Sequence, residues 1–236
     1  AAIIETSYIE PRAEYCSLGF GYGINNRLRH YGPFEDGSRW EKKFKDRMKP
    51  WRVRESGPVV IMGQMPGDMA LKQFVNFYDW TARTFNELVA LGHEVKFRPH
   101  PNASPHHLKR TGMRVRKWQK SVVHADEDAL WRGLLQAIDE GMEIETSKQP
   151  LLEYLDEAKF VVTFNSNSGV DAVLSGCPAY AADPGSMAWD MTARELGVIV
   201  TPDREAWARW LSWCQWTREE LESGEAWEHA CPPHLR

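Results

Sequence analysis

The most regular signal along the chain is a series of short apolar runs, each followed by a polar, glycine-rich or proline-rich stretch. Val59-Val60-Ile61-Met62, His93–Phe97 (HEVKF), Phe160–Phe164 (FVVTF) and Pro178–Ala182 (PAYAA) read as short strands, the first and third of a fully buried type. The segments between them carry apolar positions at helical spacing. Residues 70–91 place Phe74, Phe77, Trp80, Phe85, Leu88 and Val89 in this way, which predicts a helix. Pro150–Ala158 reads as a helix with proline at its start. Gly169–Leu174 reads as another, stopped by Gly176. Residues 204–222, with Trp207, Trp210, Trp213 and Trp216, predict an amphipathic helix or helix pair. Strands alternating with helices from residue 58 onward predict an α/β fold, a Rossmann-like and mostly parallel sheet with right-handed crossovers. Ligands of such sheets bind outside the carboxyl ends of the strands. The polar loops all follow strands, so they are expected to converge on one edge.

The first 57 residues differ in character. Ala1–Ile4 reads as a strand, and Cys16–Arg27 is so rich in Gly and Asn, which tolerate positive φ, that it predicts a loop. Residues 39–52 are strongly basic, and Pro50 ends any helix there. Two regions are therefore expected: an N-terminal portion, 1–57, and a sheet domain with Trp-rich C-terminal helices, 58–236.

With 236 residues, 42% of them hydrophobic and 26% charged, the composition is that of a globular protein able to bury a core. No apolar run approaches the ~18 residues of a membrane span, and no basic, apolar leader opens the chain, so no membrane insertion and no signal peptide are expected. Cys16, Cys177, Cys214 and Cys231 form no C-x-x-C pair. Reduced thiols in a cytoplasmic protein are expected rather than a zinc knuckle or a disulfide framework. A net charge of −4 gives no global attraction to nucleic acid, though a local basic face is compatible with it. Of the 11 Trp, six follow residue 188, which means dense packing or stacking surfaces there, packing being the simpler reading.

Several loops carry candidate chemistry. Asn165-Ser166-Asn167-Ser168-Gly169 joins a buried strand to a helix start, where free N–H groups make an anion site. Ser166 or Ser168 can also serve as a simple cap there, but four consecutive polar residues exceed what a cap requires. Asp171, in the first turn, either accepts from a ribose hydroxyl or is a solvated charge favoured by the helix dipole. Arg98-Pro99-His100-Pro101 sets a histidine in a rigid proline frame: Arg98 can fork a phosphate, and His100 can donate to one or act as acid or base. Gly63-Gln64-Met65-Pro66-Gly67-Asp68 lacks the ending of a phosphate-binding P-loop, and its Asp68 is a candidate base or a cap for the following helix. Asp183–Asp190 (DPGSMAWD) suits a ligand wall, or a turn with Trp189 plugging the core. Asp126-Glu127-Asp128 has the form of a metal-binding D-x-D but reads as a helix start. The basic stretch from Arg39 to Arg54, and Arg110–Lys120 around Trp118, either contact a polyanion or form solvated faces. No G-x-S-x-G, H-E-x-x-H or G-x-G-x-x-G occurs.

Phe97–Pro101 (FRPHP) and Val161–Pro178 (VVTFNSNSGVDAVLSGCP) together resemble the donor-binding half of GT-B glycosyltransferases, and the capsule sugar transferases carry similar segments. Four further blocks, Ser17–Arg27, Gly63–Asp68, Asp183–Asp190 and Trp213–Trp227, are similar to predicted glycosyltransferases of tailed bacteriophages. The resemblance spans nearly the whole chain. It implies transfer of a sugar from a nucleotide-diphosphate donor, first of all a UDP-sugar, to a hydroxyl acceptor. In a phage setting a hydroxymethylated pyrimidine of DNA is an implied acceptor. The alternatives are a surface-polysaccharide glycosyltransferase and a non-catalytic nucleotide-sugar or glycan-binding module. No metal cofactor is implied. The donor residues would be Gly63, Gln64, Arg98, His100, Asn165–Gly169, Asp171, Asp183 and Ser186. Asp68, then His100 or Asp183, are the candidates for the base. Asn25, Asn26, Arg27 and Arg39 would meet the acceptor, and a homodimer is a further candidate assembly. A GT-B enzyme has two Rossmann-like domains, so the acceptor portion is expected to be reduced, with Ala1–Ile4 as the last strand of such a domain.

Overall fold

The computed structural model describes residues 1–65, 68–71, 76–101, 127–145 and 149–232. Two sheets organise them. The larger contains β3 (Val59–Met62), β4 (Val95–Arg98), β5 (Glu143–Ile144), β6 (Phe160–Thr163) and β7 (Ala179–Ala181). Its order is β5-β4-β3-β6-β7, and every neighbouring pair is parallel. The chain runs outward from β3 to β5, returns beside β3 as β6, and runs outward again. Strand order therefore reverses between β3 and β6, the place where a crevice opens in sheets of this kind. The smaller sheet is antiparallel and joins β1 (Ala2–Thr6), β2 (Tyr15–Phe20) and β8 (Gln215–Thr217), with β2 in the middle. It combines strands from both sides of residue 57.

Every residue of β3 and β6 is buried, which is why both read as continuous apolar runs. Val59, Ile61, Phe160 and Val162 face a layer made by α2 (Phe77–Ala90) and α3 (Glu127–Asp139), with Phe77, Phe85, Leu88 and Leu134 in the contact. Val60, Met62 and Val161 face the opposite layer. That layer contains α1 (Ser38–Lys43), α4 (Leu151–Leu155), α5 (Ser168–Ser175) and α6 (Glu205–Ser212), represented by Trp40, Leu155, Val173 and Leu211. The result is a Rossmann-like α/β sheet with helices on both faces. Gly176 ends α5 at φ 81°, as its position predicts. A Cβ there would also lie 2.0 Å from the Pro50 carbonyl oxygen, because residues 49–52 run along the end of the helix.

Four expectations change. The Gly/Asn-rich stretch at 16–27 begins inside a strand: β2 reaches Phe20, and the turn is confined to Gly21–Gly23 and a 3-10 turn at Asn25–Arg27. Gly19 is there for packing, since a Cβ would lie 2.7 Å from Leu28 Cβ. Ala1–Ile4 is in a strand, but as the edge of the antiparallel sheet rather than the end of a second Rossmann unit. The helix expected over 70–91 starts at Phe77, capped by Asn76, whose Oδ1 accepts from the N–H groups of Tyr78 (3.2 Å) and Asp79 (3.4 Å). The tryptophan stripe is split by β8 between α6 and α7 (Arg218–Glu222). Trp207 joins the main core, while Trp213 and Trp216 close a small core with Leu18, Phe20 and Ala226 of α8 (Glu225–Ala230). Phe74, Gly67, Asp126 and the Arg110–Lys120 cluster lie outside the described residues. Among the described residues no helix is long and apolar enough to cross a membrane.

Candidate active site

The loops after β3, β4, β6 and β7 meet at one edge of the larger sheet. Gly63, the first residue after β3, donates its N–H to the Arg98 carbonyl (2.7 Å). A Cβ on it would lie 2.5 Å from the His100 nitrogen, so glycine is what lets these two loops touch. Gln64 reaches across the reversal point. Its Nε2 donates to Asn165 Oδ1 (2.9 Å), and its Oε1 accepts from the Asn165 N–H (3.1 Å). Asn165 Nδ2 donates in turn to the Ala70 carbonyl (2.5 Å) and to Asp183 Oδ1 (3.4 Å). The same Asp183 oxygen accepts from the Gly185 N–H (2.7 Å) and from Arg27 Nη2 (2.5 Å). Ser186 is fully buried and accepts from the Ala188 N–H (3.2 Å). Gln64, Asn165, Asp183 and Ser186 thus form the framework that ties the loops together. Asp183 is too fully engaged to act as a base.

The open part of this edge is the start of α5. Ser166, Asn167 and Ser168 are half-buried. Ser166 Oγ accepts from both the N–H (3.2 Å) and the hydroxyl (2.9 Å) of Ser168. Asn167 Oδ1 is buried with no hydrogen-bond partner. A Cβ on Gly169 would make only ordinary contacts with Thr163 and Ala188, so packing does not require glycine there. The helix dipole places partial positive charge at this point. Arg98, at the end of β4, points toward the start of α4: Nη2 donates to the Gln149 carbonyl (2.6 Å), and the guanidinium sits 4.7 Å over the Tyr154 ring. Its Nη1 is buried without an acceptor.

Asp171 is neither open to a ribose nor solvated. It is buried, and its Oδ2 accepts from Arg12 Nη2 (2.7 Å). Burial pushes its carboxyl up to about 6, against the pull of Arg12. Trp189 does not plug the core; it is half-buried, with the Arg194 guanidinium 3.8 Å from its ring centroid.

Charge gathers at the mouth. Asp68 Oδ1 accepts from the Ala70 N–H (2.8 Å), a local turn rather than a cap on α2. Asp68 and His100 attract each other, while burial lowers the His100 pKa. Asp68 also repels the Glu5 carboxylate of β1. Glu5 is raised chiefly by burial, with the Asn25 N–H and the Tyr8 hydroxyl pulling it down again. Of the residues expected to meet an acceptor, three lie here. Asn25 holds Glu5; Asn26 donates its N–H to the Gly185 carbonyl (3.2 Å) and its Nδ2 to the Pro184 carbonyl (2.9 Å); Arg27 pairs with Asp183. Together they clasp the β7 loop to the smaller sheet.

Arg39 does not join them. It is 6% exposed and forks Glu220 through both amino groups (2.7 and 2.8 Å). Its Nε donates to the Ser212 carbonyl (2.9 Å), and its guanidinium lies 4.3 Å over the Trp216 ring. Burial works against the Glu220 charge, but Arg39, Lys43 and the Thr217 N–H outweigh it and hold the carboxyl at about 2. Arg39 is a structural residue. Among the described residues no three His, Cys, Asp or Glu side chains are grouped to hold a metal ion.

The fold is shared with a solved structure, that of Thermosulfurimonas dismutans KpsC, a beta Kdo 2,7 transferase. The TM-score is 0.52 at 11% identity, over 95% of this chain and 77% of that one. The likeness is one of fold. No protein-family model matches the chain, and no curated protein matches it in sequence.

Three contributors to the site gave no sequence signal. Glu5, Tyr8 and Arg12 lie in a segment with no motif, and each acts on a residue distant in sequence or across a turn. Only the alternation of β1, which turns Glu5 to the same side as Ile3, offered a hint.

Proposed function

We propose that this chain transfers a sugar from a nucleotide-diphosphate donor to a hydroxyl acceptor. The observation that supports this most is the assembly at the sheet's reversal point. There the positive end of α5, with Ser166 and Ser168, stands beside a rigid frame of four loops, and Asp68 and His100 stand at its mouth. The diphosphate would lie against the start of α5, where preorganised N–H and hydroxyl donors meet the charge of the departing group. Arg98 Nη1, buried without an acceptor at the end of β4, is a further candidate donor. Asp68 would take the proton of the acceptor hydroxyl as its oxygen attacks the anomeric carbon. The bond to the diphosphate oxygen breaks, and the nucleoside diphosphate leaves with the electron pair. A UDP-sugar is the first donor to try.

The resemblance implies two acceptor classes: a hydroxymethylated pyrimidine in phage DNA, and a hydroxyl of a surface glycan. The second is favoured by the state of the cations. Arg39 is buried against Glu220 and Arg27 is paired with Asp183, so the two arginines expected to meet the acceptor are already neutralised. The fold shared with a Kdo transferase points the same way.

A thermal-shift panel of UDP-, GDP-, TDP- and CMP-linked sugars tests the reading. A donor at 100 times its dissociation constant adds about 2.7 kcal/mol, a rise of a few degrees in a chain of this size. A shift with one nucleotide class, together with slow hydrolysis of that donor, is expected. Binding without hydrolysis would instead support a non-catalytic binding module. No shift with any of them would overturn the donor site.

A further inference from the structure

Asp171 is a buried acid that the transfer chemistry leaves idle. It lies in the first turn of α5, three residues after Ser168, and its N–H donates to the Asn167 carbonyl (3.2 Å). A rise of about 1.5 Å per residue, with side chains that lean toward the helix start, puts its carboxylate on the order of 10 Å from an anion held there. It is 4% exposed, so water screens that distance poorly. Its partner comes from the loop between β1 and β2. Arg12 Nη2 donates to Asp171 Oδ2 (2.7 Å), the Arg12 N–H donates to Glu10 Oε2 (2.9 Å), and Arg12 Nη1 pairs with Glu10 Oε1. The loop is itself fixed. The Ser7 hydroxyl (2.6 Å) and the Tyr8 N–H (2.8 Å) donate to Gln215 Oε1, and Tyr8 and Ile9 are buried in the core that α5 enters through Val170 and Val173. Among the described residues, Arg12 and Glu10 are the charged groups that act on Asp171. The two acids share one guanidinium, so with both ionised the trio keeps a net negative charge.

We propose that the Arg12–Asp171 pair makes anion binding at the start of α5 proton-linked: the diphosphate is held more tightly when Asp171 carries a proton, and Arg12 sets the pH at which it does. The inference rests on the donor site proposed above and names its regulation. An ionised Asp171 competes with the ligand for the positive end of the helix, and a protonated one does not. Burial moves the carboxyl up to about 6, while Arg12 restrains the rise. The phosphates of a nucleotide sugar stay ionised throughout, so affinity should rise as pH falls through that value. Arg12 is thus a positioning residue, acting on the donor through Asp171.

The test is calorimetric titration between pH 5 and 8 with UDP-glucose, or with whichever of the GDP-, TDP- and CMP-linked sugars raises the melting temperature in its place. Asp171→Asn keeps an oxygen for Arg12 and cannot ionise. It should bind roughly three- to tenfold more tightly than wild type at pH 8, the effect of removing one charge about 10 Å away in a half-solvated site, and match wild type at pH 5. His100 titrates in both proteins alike, so the ratio between them isolates Asp171. Arg12→Gln keeps an amide N–H for Asp171 but removes the charge, and should move the step to higher pH. The Arg12→Gln/Asp171→Asn double variant, which lacks the step, is its reference. A purely structural clamp would change affinity by the same factor at every pH. A ratio of Asp171→Asn to wild type that does not vary with pH, or a step that stays in place in Arg12→Gln, therefore overturns the proposal. Either result with donor still bound leaves the transferase reading standing; binding of no nucleotide sugar at any pH brings down both.

Discussion

Gln64 and Asn165 lock each other across the point where the order of the parallel strands reverses, each giving one hydrogen bond and taking one. Both are buried, so each partner left alone keeps unsatisfied polar atoms. Gln64→Ala and Asn165→Ala should each cost about 1–3 kcal/mol in urea unfolding. The double variant should lose less than the sum, with a coupling of at least about 0.5 kcal/mol. Additive losses would show that the two amides do not act as a pair.

Asp68→Asn separates chemistry from binding. The amide keeps an oxygen for the Ala70 N–H, so the turn survives, but it cannot take a proton. Transfer should fall about 100- to 10,000-fold, while the thermal shift with donor stays within a degree or so of wild type. A fall in donor binding of equal size would move Asp68 from base to binding residue.

Gly63→Ala tests the contact between the β3 and β4 loops. The added methyl meets backbone atoms of Pro99 and His100 rather than a yielding side chain. A loss of about 1–3 kcal/mol is expected, with reduced donor binding, since His100 is displaced. Melting temperature and donor titration on the same sample check both parts.

Arg39→Met removes the fork that neutralises Glu220 inside the small core. Lys43 still reaches that carboxylate, so a loss of about 3 kcal/mol is expected, at the lower end for a broken buried pair. Arg39→Lys should recover only part of it, because an ammonium cannot fork a carboxylate while also meeting the Ser212 carbonyl. A fully stable Arg39→Met protein would contradict the structural role.

Two acids should oppose each other in the pH profile of stability. Asp171 has its folded pKa raised from 3.8 to about 6, so the folded state holds a proton that the unfolded state has released. Its contribution falls as pH rises from 3.8 to about 6, by up to about 3 kcal/mol, and is flat above. Glu220 is lowered from 4.5 to about 2, so its contribution is full above 4.5 and is lost as pH falls toward 2. Urea unfolding between pH 3.5 and 7.5 should show Asp171→Asn gaining on wild type as pH rises to 6, then running parallel to it.

The larger sheet was legible because its strands are buried on both faces. Phe160–Thr163 can only be an interior strand, and Gly176 sits where a left-handed stop is needed. The loop residues were legible as a group for the same reason, since each follows such a strand. Their individual roles were not. Asp183 and Gln64 look like ligand-facing polar residues, yet long-range hydrogen bonds consume them. The smaller sheet was hidden because β8 is three residues long and sits inside a helical tryptophan spacing. Only its pairing with β2 makes it a strand. Glu5 was hidden because its seat joins the nearby Tyr8 hydroxyl to the N–H of Asn25, which only the fold brings together.

The pairing of Ser17 with Gln215 sets the order in which the molecule can be completed on the ribosome. The β1–β2 hairpin is made well before the strand that finishes its sheet, which follows roughly 200 residues later, on the order of ten seconds or more at ordinary elongation rates. Through that interval Leu18 and Phe20 lack the cover that Trp213, Trp216 and Ala226 give them in the finished protein. Any fragment that stops before Trp213, however complete its parallel sheet, would carry that uncovered apolar face as a seed for aggregation.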